Sequence, residues 1–183
     1  MTVNRGAIAV AAFVSTVAVA NVMTATLGLV ELPGGAMTSA GTFAAGLALI
    51  ARDAVQDFAG RKAVAGSILL GAAISTLGAP MMIAIASAAA FAISELLDWA
   101  VYSPLARKGR ARAVLLSSLA AAPVDTVIFL SLASFPLTTE SITGQTVVKV
   151  TLAAIAAGVG AGVFSVVHGD KVAVDAILTH PGI

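Results

Sequence analysis

Six long apolar stretches, each closed by a glycine, a proline or a basic break, run through this chain at about Gly6–Leu29, Thr38–Phe58, Lys62–Leu77, Met81–Tyr102, Ala113–Phe135 and Ile142–Val167. Backbone placed in hydrocarbon must satisfy its own N–H and C=O groups, so stretches of this kind predict helices. At a rise of ~1.5 Å per residue each can cross a core of ~30 Å, with tilt or thinning at the shorter ones. The chain is 59% hydrophobic and 10% charged. Its mean hydropathy of +1.03 is more than a soluble domain of 183 residues could expose to water. The predicted fold is all-α: a polytopic membrane protein with six transmembrane helices, forming a single domain over residues 1–183.

Ala18-Val19-Ala20 before Asn21 has the form of a secretory cleavage site. Apolar sequence continues to Val30, however, beyond the length of a signal core, so this segment reads as the first span. The basic flanks fall on one side of a six-span chain: Arg5, Arg61, Lys62, Arg107, Lys108, Arg110, Arg112 and Lys171. The opposite loops carry only Glu31 and Glu140. By the positive-inside rule both termini are expected in the cytoplasm, in a multi-pass protein of the cytoplasmic (inner) membrane. Ala154, Gly158 and Gly162 form a small-residue ridge suited to close helix packing, with a homodimer contact as the alternative.

Several chemistries find no footing. Without cysteine there are no disulfides, thiolate metal sites or cysteine nucleophiles. The few scattered basic residues make no nucleic-acid footprint. There is no P-loop and no Gly-x-Ser-x-Gly. His168 and His180 lie near or beyond the last span, so no histidine metal site is visible. The chain reads as a non-enzyme without metal or cofactor.

Five carboxylates nevertheless interrupt the apolar stretches: Asp53, Asp57, Glu95, Asp98 and Asp125. A charge in the bilayer costs several kcal/mol, so it usually marks a substrate or ion site. In Arg52-Asp53-Ala54-Val55-Gln56-Asp57, Asp53 shares a helix face with Gln56 and Asp57. If the helix instead ended at Ile50, this cluster would lie in a loop. Ser94-Glu95-Leu96-Leu97-Asp98-Trp99 places two carboxylates three apart behind an apolar stretch reaching back to Ala79, with Tyr102 beyond. Trp99 and Tyr102 suit either an interfacial belt or a wall for a planar ligand. Asp125, with Ser118 two turns earlier, faces two readings: a partner for Lys149 or a ligand residue. Asn21 is expected to bond between helices. Five acids against Arg52 and Lys149 predict a buried polar network around a cavity.

The order and spacing of several pieces resemble the vitamin uptake transporter family. They are Ala40-Gly41-Thr42, Arg52-Asp53, Gly60-Arg61-Lys62, Ser94-Glu95-Leu96-Leu97-Asp98 with Tyr102, Asp125-Thr126 with Phe129, and Gly144-Gln145 with Lys149. The family is similar in helix count to the substrate-binding subunits of energy-coupling-factor vitamin transporters. The resemblance implies uptake of 7-cyano-7-deazaguanine, a queuosine precursor, or a related 7-deazapurine. Under that implication Glu95, then Asp98 or Asp53, would accept from the guanine-like edge, while Lys149, Arg52 or Asn21 would donate to the ring carbonyl. Trp99 would cover a ring face, with Gln56 and Asp125 completing the substrate-binding set. Pro33–Ala36 would form a short re-entrant gate. A carboxylate could carry a proton with the substrate, or the protein could be a facilitator. Two other classes stay open. One is a non-transporting structural or assembly protein whose acids pair only with Arg52 and Lys149. The other is a membrane-embedded lipid phosphotransferase using Asp53 and Asp57.

Overall fold

The computed structural model describes residues 4–105, 110–156 and 158. Arg107, Lys108, Gly162, His168, Lys171, His180 and the end of the sixth predicted span to Val167 lie outside the described residues. In chain order the elements are α1 (Arg5–Leu27), β1 (Leu29–Glu31), β2 (Met37–Ser39), α2 (Thr42–Ala59), α3 (Arg61–Ser75), α4 (Met81–Leu105) and α5 (Arg110–Leu132). A sixth helix, α6, is described over 139–156. A helical membrane protein therefore fits, with one small addition, the β1–β2 hairpin.

Local chemistry sets the element ends. Asn4 caps α1, its side-chain oxygen accepting from the Ala7 N–H at 3.2 Å. Gly28, at φ +65°, ends the helix, and its N–H returns to the Thr24 carbonyl. The chain then reverses through Pro33-Gly34-Gly35, and Leu29, Val30 and Glu31 pair antiparallel with Ser39, Thr38 and Met37. This corrects the expectation that Thr38 opens the second helix. Thr38 and Ser39 pair with β1, and in the turn that follows the Ala40 N–H bonds to the Gly28 carbonyl and the Gly41 N–H to Thr24 Oγ1.

Three further ends differ from the sequence reading. Helix α4 continues through Pro104. Near a helix end a proline forfeits one ladder bond without stopping the helix. Helix α5 stops at Leu132 rather than Phe135: Ser134 takes φ +58°, and the Phe135 N–H bonds to the Leu130 carbonyl at 2.9 Å. That is a left-handed C-terminal closure. Helix α6 begins at 139, earlier than Ile142, because Thr138 and Ser141 cap it reciprocally. The Ser141 N–H donates to Thr138 Oγ1 at 3.2 Å, and the Thr138 N–H donates to Ser141 Oγ at 3.1 Å.

Helix α4 packs most extensively on α5, and α1 packs on both α2 and α3. One apolar cluster joins these first three helices through Phe13, Ala48, Val55, Val64 and Ile68. Another joins α4 and α5 through Ile83, Ala86, Ala90, Phe129 and Leu130. The Phe13 and Phe91 rings, 5.6 Å apart, link α1 to α4. Two glycines let backbones meet. A Cβ on Gly41 would strike the Ala20 carbonyl and Thr24 Oγ1, and a Cβ on Gly144 would strike the Met37 backbone. The start of α2 thus lies against α1, and the hairpin lies on α6.

Outward-facing leucines and methionines, among them Leu47, Leu69, Leu77, Met81 and Leu96, are largely exposed. Water would not tolerate so much apolar surface on a small protein, whereas lipid would. Among the described residues, three helical segments are long and apolar enough to cross a membrane: α1, α4 and Leu115–Leu132 of α5. Helix α2 carries Arg52, Asp53 and Asp57. Helix α3 has 15 residues, ~22 Å at helical rise, which is short for a straight crossing.

Candidate functional site

The segment from Arg52 to Asp57 is helical, since α2 continues to Ala59 before Gly60 turns the chain. Its buried Val55 enters the α1–α2–α3 core. Arg52, Asp53, Gln56 and Asp57 line a cavity of about 500 Å³. Helix α4 contributes Glu95, Asp98, Trp99 and Tyr102, α5 contributes Ser118 and Asp125, and α6 contributes Lys149. The volume falls within the ~300–1,000 Å³ typical of small-molecule sites.

Arg52 organises the acids. Its Nε donates to Glu95 Oε2 at 2.8 Å, and its Nη2 donates to the same oxygen. Nη1 donates to Asp53 Oδ1 at 2.6 Å, while Nη2 lies 3.5 Å from Asp98 Oδ2. The Glu95 and Asp98 side chains are 20% and 25% exposed, against 54% for Asp53, so the α2–α4 contact is the better shielded part. One guanidinium faces three carboxylates, so acceptor oxygens outnumber the donors set against them. The cavity is therefore built to attract a donor-rich or cationic group.

Lys149 on α6 donates to Asp125 on α5 and lies 3.4 Å from Thr126 Oγ1. Asp125 is thus the partner of Lys149, and both residues face the cavity. Trp99 is engaged differently from expectation: the Arg61 guanidinium carbon sits 4.5 Å above its ring. A cation already covers that face. Gln56 and Asp57 reach the cavity from exposed positions.

Asn21 does not join this group. It lines a second pocket of about 70 Å³ with Thr24, Ser39, Thr42, Gln145 and Phe129. Ala45, Phe91, Asp125 and Lys149 line both spaces, so the ion pair and the Phe91 ring stand between them. The Asn21 amide nitrogen donates one N–H to Ser75 Oγ at 2.8 Å, joining α1 to α3. The hairpin tip at Pro33–Ala36 lines neither space; the hairpin reaches the small pocket through Ser39. Gln145 was missed as a site residue. Its signal was an amide inside an apolar helix, one turn before Lys149. Nothing local marks Ser39, which pairs with Gln145 across 106 residues.

Apolar outer helices around an internal cavity lined by charged residues fit a helical membrane protein. Residues 72–161 match the model of a family described as putative vitamin uptake transporter. The match covers just under half the chain, from the end of α3 through α4 and α5 into α6. It includes Glu95, Asp98, Trp99, Asp125 and Lys149, and leaves out Asn21, Arg52, Asp53 and Gln56. It supports the resemblance seen in the sequence and points to a transporter. No curated protein matches the chain. No solved structure matches it.

Proposed function

We propose that this protein imports a queuosine precursor, 7-cyano-7-deazaguanine or a related 7-deazapurine, across the cytoplasmic membrane. The observation that carries this reading is the 500 Å³ cavity, where carboxylates of α2 and α4 gather around Arg52 inside an apolar bundle. 7-Deazaguanine carries a pyrrole N–H and an exocyclic amine besides its lactam N–H, and the carboxylates supply acceptors for such donors. Arg52 leaves the second oxygen of Glu95 and most of the Asp98 carboxylate for that purpose. Hydrogen-bond matching in a shielded site is strongly selective, because an analogue lacking the donors leaves buried acceptors unpaired.

In this reading all six helices cross the bilayer, the shorter ones tilted or in thinned lipid, with both termini cytoplasmic. The start of α1 supports that arrangement, since Gly6 lies against Phe58 and Ala59 and so brings Arg5 to the end that carries Arg61 and Lys62. The cavity reaches the same end, where α2 and α4 finish, so it faces the cytoplasm. The surplus carboxylates are the groups that could carry a proton inward with the substrate.

Uptake is the test. In cells unable to make queuosine precursors, expression should restore queuosine in tRNA at low external precursor. Glu95→Gln and Asp98→Asn should each abolish that rescue at normal membrane abundance. Wild-type rescue by both variants would overturn the site. One observation favours a rival reading, a structural or assembly protein: Arg52 and Lys149 engage four acids within the protein itself. That reading expects no rescue by the wild-type chain.

A further inference from the structure

The small pocket beyond the Asp125–Lys149 pair holds two amides whose orientations are fixed by their surroundings. Ser75 Oγ donates to the Gly71 carbonyl at 2.6 Å, so toward Asn21 it can only accept. That places the Asn21 nitrogen on Ser75 and leaves Oδ1 elsewhere. The Ser39 backbone N–H can only donate, and at 3.3 Å it selects the oxygen of Gln145, leaving Nε2 elsewhere. Among the described residues, no atom hydrogen-bonds to Asn21 Oδ1 or to Gln145 Nε2. Asn21 is 2% exposed and Gln145 1%, and both line this pocket. The pocket therefore presents an unmatched acceptor at Asn21 Oδ1 and unmatched N–H donors at Gln145 Nε2. Leaving such groups unmade costs ~1–3 kcal/mol each, which a complementary ligand would recover.

We propose that this pocket is a binding subsite for the lactam edge of a planar heterocycle. The ring N–H donates to Asn21 Oδ1, and the adjacent ring carbonyl accepts from Gln145 Nε2. Some neighbouring polar groups are already engaged: Ser39 Oγ and Thr42 Oγ1 bond to each other at 2.8 Å, Thr24 Oγ1 accepts from the Gly41 N–H at 3.2 Å, and Lys149 pairs with Asp125. Phe91 and Phe129 supply apolar walls for a flat ring. A space of about 70 Å³ admits an edge and not a whole bicyclic ring. The body of the ligand lies toward Phe91 and the ion pair, which border both spaces and must shift to admit it. The subsite rests on the transport reading only for its biological ligand; its chemistry is set by the two amides.

The test uses the full chain purified into lipid nanodiscs and titrated with 7-deazaguanine, hypoxanthine and the 6-methoxy ether of each. The ethers lack the ring N–H and replace the carbonyl with an alkoxy oxygen. Lactams are expected to bind at least tenfold more tightly than their ethers. Gln145→Glu keeps an acceptor for Ser39 while removing the amide donor, and should reduce that ratio toward one. Equal binding of lactam and ether by the wild-type protein would overturn the subsite, as would no binding of either lactam. A ratio that persists in Gln145→Glu would place recognition elsewhere and overturn it too. If that variant does not fold, the ether comparison on the wild-type chain decides. Hypoxanthine binding with an intact ratio, but none of 7-deazaguanine, would uphold the subsite and refute the proposed substrate.

Discussion

Arg52 reaches from α2 to Glu95 and Asp98 on α4 while also holding Asp53 on its own helix. Its removal leaves like charges facing one another across a shielded gap. Breaking a fully buried pair costs ~3–5 kcal/mol, and partial exposure here should roughly halve the loss for Arg52→Gln. Thermal unfolding in detergent checks this. Adding Glu95→Gln to that variant should recover part of the stability, because it removes one of the stranded charges. A double-mutant cycle with no coupling would show that the contact does not join the helices. The sequence identified each of these residues, yet not that one arginine serves three acids. Spacing along a helix reports a shared face and says nothing of which helix lies opposite.

The hairpin and the start of α6 are the elements that shape the small pocket. Gly144 on α6 lies so close to the Met37 backbone that Gly144→Ala must push β2 away. Overpacking of this kind typically costs ~1–3 kcal/mol. The same shift should loosen the bond from the Ser39 N–H to Gln145, read as faster exchange of the Ser39 amide. At the start of α6, Thr138→Ala should destabilise the helix by about 1 kcal/mol through loss of its cap. Glu140 in the first turn is held below the usual carboxylate range by its own backbone N–H and then by the Thr138 hydroxyl. Its contribution is therefore present above the ordinary carboxylate pKa and lost as pH falls through the lowered one. The protection of amides at the start of α6, relative to their intrinsic exchange rates at each pH, should fall on acidification in the wild-type chain and lose that dependence in Glu140→Gln. The Pro33-Gly34-Gly35 break was visible in the sequence, but the strands around it were not. Three-residue strands leave too short a pattern to distinguish from helix or loop.

For the whole molecule, the orientation proposal can be checked directly because the chain has no native cysteine. Glu31→Cys lies beside the hairpin turn, and Lys62→Cys lies in the first turn of α3. In intact cells a membrane-impermeant maleimide should label the first and reach the second only after permeabilisation. Labelling of both from one side would refute an arrangement in which hairpin and basic turns face opposite compartments. The larger cavity and the small pocket are separated by Phe91 and the Asp125–Lys149 pair. Passage between the two sides must therefore disturb that pair, so Lys149→Gln should alter uptake without abolishing membrane insertion.

Hydropathy, and the breaks between apolar stretches, determined by themselves that this chain forms membrane helices. They also picked out the acids as the residues hardest to explain by lipid contact, because the cost of a charge in hydrocarbon depends on residue type and position alone. Which side chains meet depended on the tertiary structure. Arg52 with Glu95, Lys149 with Asp125 and Ser39 with Gln145 are contacts across 43, 24 and 106 residues. No periodicity within one helix encodes such pairs. They arise when packed helices fix which polar faces turn inward, and the same packing divides the interior into a charged cavity and an amide-lined pocket.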